Sequence, residues 1–193
     1  ITLKSKKKKM GFLTKLLALF SITSNNDYDY TMLVTEWRPS DCIIRGCVSG
    51  FNENSFNIHG NWPERNNGSW PSYCSSTPFS INSDTKSDLL QYWVSDSQPN
   101  EDFWKHEWEK HGTCISPAVP CDNFFKDTIT AFKKANFQGQ LENAGVYPSD
   151  SKTYNISTIV NAFEYSLEIT CQYKNGKHYL YELTACLDKS GEQ

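Results

Sequence analysis

The chain is poor in several features that would have classified it at once. No apolar run reaches the ~18–20 residues that a membrane-spanning helix requires. None of its seven cysteines forms a C-x₂-C pair, the commonest spacing of structural zinc sites. No internal repeat or linker divides the segment after Ser24, so the 193 residues read as one domain long enough for a real core. Basic charge is scarce in that segment. Six of the 19 Lys and Arg, but none of the 22 Asp and Glu, precede residue 25, which leaves 13 basic against 22 acidic side chains and a net charge of −9. Such a body does not hold nucleic acid by bulk phosphate neutralisation, although it can still grip one or two phosphates locally. Histidine is rare as well: there are four, and three of them fall in two short phrases.

The first residues are built differently. Ile1 to Lys9, with the run Lys6 to Lys9, precedes Met10, and Met10 leads into a lysine, a short apolar run and small polar residues up to Ser24. That is the pattern of a secretory signal peptide, which places the start at Met10 and cleavage near Ser24, so that residues 25–193 form the mature domain. The lysine run alone also fits a nuclear signal or a nucleic-acid patch. Seven cysteines behind a signal peptide point to disulfides in an oxidising compartment, with one thiol left over by the odd count. Cys42 and Cys47 are close enough to close a small loop. The sequons at Asn67 and Asn155 fit a glycosylated, secreted surface.

The periodicity predicts an α+β domain, a central mostly antiparallel sheet with helices packed on it. Tyr28 to Trp37 alternates and reads as a strand stopped by Pro39, and Phe56 to His59 reads as a short strand ended by Gly60 and Pro63. Residues 61–83 read as loop. Helices are expected over Asp84 to Ser95 (capped by Ser83 or Asp84), Asp102 to Lys110, Asp122 to Phe137 and Ser157 to Ile169. Glu168 to Lys174 and His178 to Cys186 flank Asn175-Gly176, a strong hairpin signal.

The chemistry concentrates in Phe103-Trp-Lys-His-Glu-Trp-Glu-Lys-His-Gly-Thr-Cys114 and in Ser55-Phe-Asn-Ile-His-Gly-Asn-Trp-Pro63. His106-Glu107 begins like the H-E-x-x-H zinc motif, but the next histidine, His111, stands at i+5. On an α-helix that turns it about 140° away from His106, so a zinc peptidase fails on geometry. Glu107 and His111 are four apart and Lys110 is three from Glu107, so one helical face carries all three, with His106 at its edge. A lysine beside a carboxylate and an imidazole suits a phosphoryl transition state. His59 at a strand end supplies a second imidazole. Two imidazoles flanking a phosphodiester can cleave RNA without metal, one taking the 2′-OH proton and the other protonating the leaving 5′-oxygen; DNA, lacking that hydroxyl, is spared. Taken singly, each histidine fits a structural role equally well, and Trp62, Trp104 and Trp108 fit the core.

Ile58-His59-Gly60-Asn61-Trp62-Pro63 and Trp104 through Cys114 resemble the two active-site signatures of the ribonuclease T2 family of secreted and lysosomal acid endoribonucleases. Looser similarity runs from Tyr28 to Cys186. The resemblance implies that His59 is the general acid and His111 the general base, that His106 binds the substrate phosphate, and that Glu107 and Lys110 stabilise the phosphorane. It matches Trp62, Glu64 and Trp70 to base-binding positions, and it pairs Cys42 with Cys47 and Cys74 with Cys114. It implies 2′,3′-cyclic phosphate ends, low base specificity, an acidic optimum, no metal or other cofactor, single-stranded RNA as partner, no membrane association after signal removal, a monomer, and a secreted or lysosomal/vacuolar location. His178 matches no motif. Asn61 stands where a leucine is usual, and Cys171 and Cys186 match cysteines that pair with later ones, so a chain truncated after Gln193 is expected, with Cys121 unassigned. A secreted protein of the same fold that binds RNA or a protein without cleaving is the alternative; it would be expected to have lost a catalytic histidine, and none is lost here.

Overall fold

Alternation along Tyr30–Trp37 makes β1, whose even-numbered residues face one side of a sheet and whose odd-numbered residues face the other. The structure, a computed structural model, describes residues 27–193 apart from Asn52 and Ser116; the lysine run, Met10 and Ser24 lie outside the described residues. Pro39 does not merely stop the strand. It sits in the first turn of a helix, α1 (Arg38–Arg45), where a missing N–H costs nothing.

β2 (Phe56–Glu64) is longer than the sequence suggests, and neither Gly60 nor Pro63 ends it. Pro63 is tolerated because β2 is an edge strand: the sheet order is β2-β1-β4-β3, all antiparallel. α2 (Ser83–Tyr92) starts one residue earlier than expected, because the side chain of Asn82 accepts from the Thr85 N–H at 2.9 Å and serves as the cap. α3 (Asn100–Lys110) continues through a 3-10 turn, Gly112–Cys114. α4 (Cys121–Ala135) buries Phe124, Phe125, Thr128 and Ile129. Asn136 in the left-handed region ends it, and α5 (Phe137–Asn143) follows without having been foreseen.

The long helix expected over residues 157–169 is wrong. Only α6 (Ile156–Val160) forms, and β3 (Leu167–Lys174) takes the rest. The apolar spacing misled, because Val160 is exposed, and Leu167 and Ile169 instead pair with Ala185 and Leu183 of β4 (Lys177–Leu187). Pairing with an existing strand outweighs a weak helical preference. The hairpin itself forms as expected, with Asn175 and Gly176 both at positive φ.

The core lies between one face of the sheet (Leu33, Phe56, Ile58, Leu183 and Ala185) and the helices, and its largest fully buried members are Trp93, Trp104 and Trp108. Each indole N–H is satisfied by a main-chain oxygen: that of His59, of Trp93 and of Thr77, respectively. Two disulfides form, Cys42–Cys47 closing a short loop and Cys74–Cys114 bridging a separation of 40 residues, the pairs that the family resemblance implies. Cys121 is a buried free thiol, while Cys171 and Cys186 are free and exposed.

One feature of β2 positions everything that follows. Ile58 pairs with Thr35 and Gly60 with Val34, so His59 has no partner in β1 and forms a bulge. The bulge resets the alternation. Ile58 and Asn61 fall on the core face, and Gly60 and Trp62 on the opposite one. Asn61 thus enters the core side, where it donates to Thr128 Oγ1 at 3.2 Å while its own Oδ1 is buried without a partner. Asn61→Leu should therefore raise the thermal midpoint, corresponding to about 1 kcal/mol, because it removes an unsatisfied acceptor and leaves Thr128 bonded to the Phe124 carbonyl. Thermal unfolding followed by circular dichroism measures it, and a lower midpoint would contradict this account.

Candidate active site

The sheet face opposite the core is unusually polar. Glu36 of β1 lies directly across from Asn57 on β2 and from Glu182 on β4. Like charges facing each other across two strands are unfavourable unless something lies between them. Here it is the bulged His59, whose Nδ1 is 3.0 Å from Glu182 Oε1; one ring nitrogen of His59 and one oxygen each of Glu36 and Glu182 lie within 4.8 Å of one another. Asn57 Nδ2 donates to Glu36 Oε1 at 2.8 Å, and Arg45 from α1 reaches Glu36, Asp41 and Asp96 at 3.5, 2.6 and 2.9 Å.

α3 faces this patch. Its Glu107 is buried, and Oε2 accepts from Trp62 Nε1 at 3.0 Å. Gly60 makes that approach possible, since a Cβ there would collide with both Trp62 Nε1 and Glu107 Oε2. Trp62 stands between the two imidazoles. Its ring centroid is 5.1 Å from that of His59, edge-on, and 5.3 Å from that of His111, stacked with an interplanar angle of 23°. His111 caps α3 and is buried, whereas His106 is exposed. The end of α3 is pinned from outside: the Tyr73 N–H donates to Lys110 O at 3.0 Å, the Cys74 N–H to Thr113 Oγ1 at 3.1 Å, and the Cys74–Cys114 disulfide ties the two segments covalently.

A cleft of about 420 Å³ collects His59, Trp62, His106, Glu107, Lys110 and His111. The five catalytic candidates of the sequence analysis are thus together, although the helix turns His106 to the outer part of the face. Glu64 and Trp70 do not line the cleft. Glu64 ends β2, and Trp70 is exposed on the segment beyond it. Asn67 and Asn155 are exposed, and each side-chain oxygen accepts from the serine two residues on. His178 lies exposed on β4 against Tyr173.

Several lining residues were not anticipated: Glu36, Arg45, Ser95, Asp96 and Phe103, together with Glu182 behind His59. Glu36 and Glu182 did carry a signal. Each is a carboxylate in the interior of a sheet strand, flanked by residues of which several are buried, an arrangement that costs stability unless a partner waits there.

Burial and neighbours drive the titratable groups apart. Burial pushes the Glu107 carboxyl up to about 7, against the pull of Trp62, His59 and Lys110. Burial does the same to Glu36, also to about 7, with His59 and Asn57 opposing. His111 is pulled down to about 3 by burial and by the positive field of Lys110, His106 and His59. Burial also pulls His59 down, but the hydrogen bond to Glu182 and the fields of Glu36 and Glu107 outweigh it, leaving His59 above the ordinary imidazole value. Burial and Lys110 lower His106. Divergent protonation of two like groups in one cleft is the arrangement that acid–base catalysis requires.

Comparisons with known proteins agree on one family. The Ribonuclease T2 family pattern matches residues 28–193. Ribonuclease DdI of Dictyostelium discoideum is 33% identical over 180 residues, covering 90% of this chain and 80% of that protein. Ribonuclease 1 of Arabidopsis thaliana is 34% identical over 200 residues, covering 94% and 86%. The crystal structure of RNase NT in complex with 5′-AMP superimposes with a TM-score of 0.75 at 31% identity, covering 86% of this chain and 88% of that one.

The Glu107 shift has a consequence for stability. An unfolded-state glutamate titrates near 4.5 and the folded one near 7, so the native state loses stability as pH rises through that interval, by on the order of 3 kcal/mol. Glu107→Gln keeps an oxygen for Trp62 Nε1 and cannot ionise. The variant should be more stable than the parent above pH 7, with the advantage shrinking to a constant offset below pH 4.5. Urea unfolding across pH tests this; a difference independent of pH would refute it.

Proposed function

Because this chain belongs to the ribonuclease T2 family and is a ribonuclease, we propose that it cleaves single-stranded RNA by transesterification, without a metal ion, leaving 2′,3′-cyclic phosphate ends. The observation that carries this reading is the pair of imidazoles on either side of Trp62, their ring centroids 5.1 and 5.3 Å from its own, with surroundings that raise the pKa of His59 and lower that of His111.

In this mechanism His111 takes the proton of the 2′-hydroxyl while the 2′-oxygen attacks phosphorus. The new O2′–P bond forms, the P–O5′ bond breaks, and His59 delivers its proton to the departing 5′-oxygen. Lys110 and His106 hold the non-bridging oxygens. Glu107, protonated over much of the acidic range, can donate a hydrogen bond to the phosphorane. DNA is spared for want of the attacking hydroxyl.

Trp62 orients Glu107 and covers one face of His111, and a base can stack beside it. The exposed ring of Trp70, with Glu64, offers a second, weakly selective base contact, consistent with low base specificity. The two disulfides support an oxidising compartment, secreted or lysosomal/vacuolar, and the exposed Asn67 and Asn155 support N-glycosylation there. Among the described residues no helix is long and apolar enough to cross a membrane.

His59→Ala and His111→Ala should each lower kcat on a mixed-sequence RNA by about a thousandfold, within the range of general acid–base effects. EDTA should change nothing, DNA of the same sequence should stay intact, and the new ends should be cyclic phosphates; 5′-phosphate ends would sink the mechanism. The pH profile of kcat/KM follows from the same two groups. Activity rises as His111 loses its proton, near pH 3, and falls as His59 loses its proton above its raised value, giving a bell with an acidic centre. A profile still rising through pH 8 would contradict the assignment.

A further inference from the structure

The bulge that brings His59 into the cleft also turns the ring's other nitrogen back onto the sheet. There Nδ1 meets Glu182 Oε1 at 3.0 Å. Glu182 is held in place by its strand: it pairs with Glu36 across β1 and with Thr170 across β3, in the interior of the sheet. Glu36 lies beside it, fixed by the Asn57 amide at 2.8 Å and by Arg45. The main-chain oxygen of His59 is in turn held by Trp93 Nε1 at 3.0 Å. The ring is therefore constrained at its backbone, at Nδ1, and at its faces by Trp62 and Phe103, with centroids at 5.1 and 6.2 Å.

We propose that Glu182 is the positioning residue of the catalytic acid, accepting the Nδ1 proton of His59 so that Nε2 alone faces the substrate. This inference rests on the ribonuclease reading of the same cleft. A carboxylate behind an imidazole fixes the tautomer, aims the free nitrogen and favours the charged ring. The functional problem differs from that of a general base. His59 must enter each turnover protonated, in a cleft that also holds Lys110, His106 and His111. Burial pushes its proton off, and the hydrogen bond to Glu182 is the largest influence holding it on. Of the three carboxylates, only Glu182 is hydrogen-bonded to the ring, whereas Glu107 is bonded to Trp62 and Glu36 to Asn57.

The test compares the parent protein with Glu182→Gln, Glu182→Leu and His59→Ala, all in the full chain. The amide of Glu182→Gln can still accept from Nδ1 but carries no charge. It should lower kcat by about tenfold with KM within twofold, and move the descending limb of the pH profile down by about one unit. The Glu182→Leu side chain, without an acceptor, should lose more of kcat than the amide does. Independently of activity, ¹⁵N-detected titration of the imidazoles should show Nδ1 of His59 protonated and hydrogen-bonded, with a titration midpoint above about 6.5 in the parent and lower in Glu182→Gln. If His59→Ala abolishes cleavage while Glu182→Gln keeps the parental pH profile, Glu182 does not position the acid. If His59→Ala retains activity, the ribonuclease mechanism itself is wrong, and the imidazole titration alone then decides whether Glu182 holds the ring. Should the variants fail to fold, the parent spectrum still decides: an unprotonated Nδ1 overturns the inference.

Discussion

Nine residues of β2 lie against eight of β1, and the surplus residue is His59. Without the bulge the alternation would continue in phase, and Gly60 and Trp62 would turn into the core. The Trp62–Glu107 hydrogen bond would then be lost, and with it the ring that separates the two imidazoles. The bulge is held from both sides, by Trp93 Nε1 on the His59 carbonyl and by Glu182 on the His59 ring. Core packing and site geometry therefore meet at one residue. Trp93 is fully buried, so any disturbance of the core around it reaches the position of His59 directly.

The electrostatics of the site are costly and self-consistent. Two glutamates, Glu36 and Glu107, are buried against their preference, and burial with the neighbouring Lys110, His106 and His59 lowers the pKa of His111. Each shift in isolation lowers stability at neutral pH or restricts protonation. Together these shifts suit the proposed division of labour, one imidazole accepting a proton and the other giving one, beside the raised carboxyls of Glu36 and Glu107. The acidic net charge fits the same picture. In the proposed mechanism, Lys110 and the histidines grip phosphate at one point, which asks for no broad basic surface.

Much of this was legible in the chain. The helix expected over Asp102 to Lys110 forms as α3, with Glu107, Lys110 and His111 together in the cleft. The Asn175-Gly176 turn marked the hairpin. Other features were hidden because they depend on partners far along the chain. Pro39 reads as a stop and acts as a helix start. Pro63 reads as a strand end until β2 is known to lie at the sheet edge. Val160, Phe163 and Leu167 keep a helical period, but the open edge of β4 claims Leu167. Glu182 sits 123 residues from His59, and no local pattern links the two.

The sequence by itself determined the chemistry available: which groups could move protons, that a lysine and a carboxylate accompany one imidazole on a single helical face, and which family the two phrases resemble. These follow from side-chain identity and from the fixed period of a helix, both local properties. Only the tertiary structure decided how that chemistry is set. The bulge at His59, the carboxylates behind it and the burial that separates the protonation of His59 and His111 all arise from strands and helices brought together from across the chain, and pKa values depend on that surrounding field rather than on residue type.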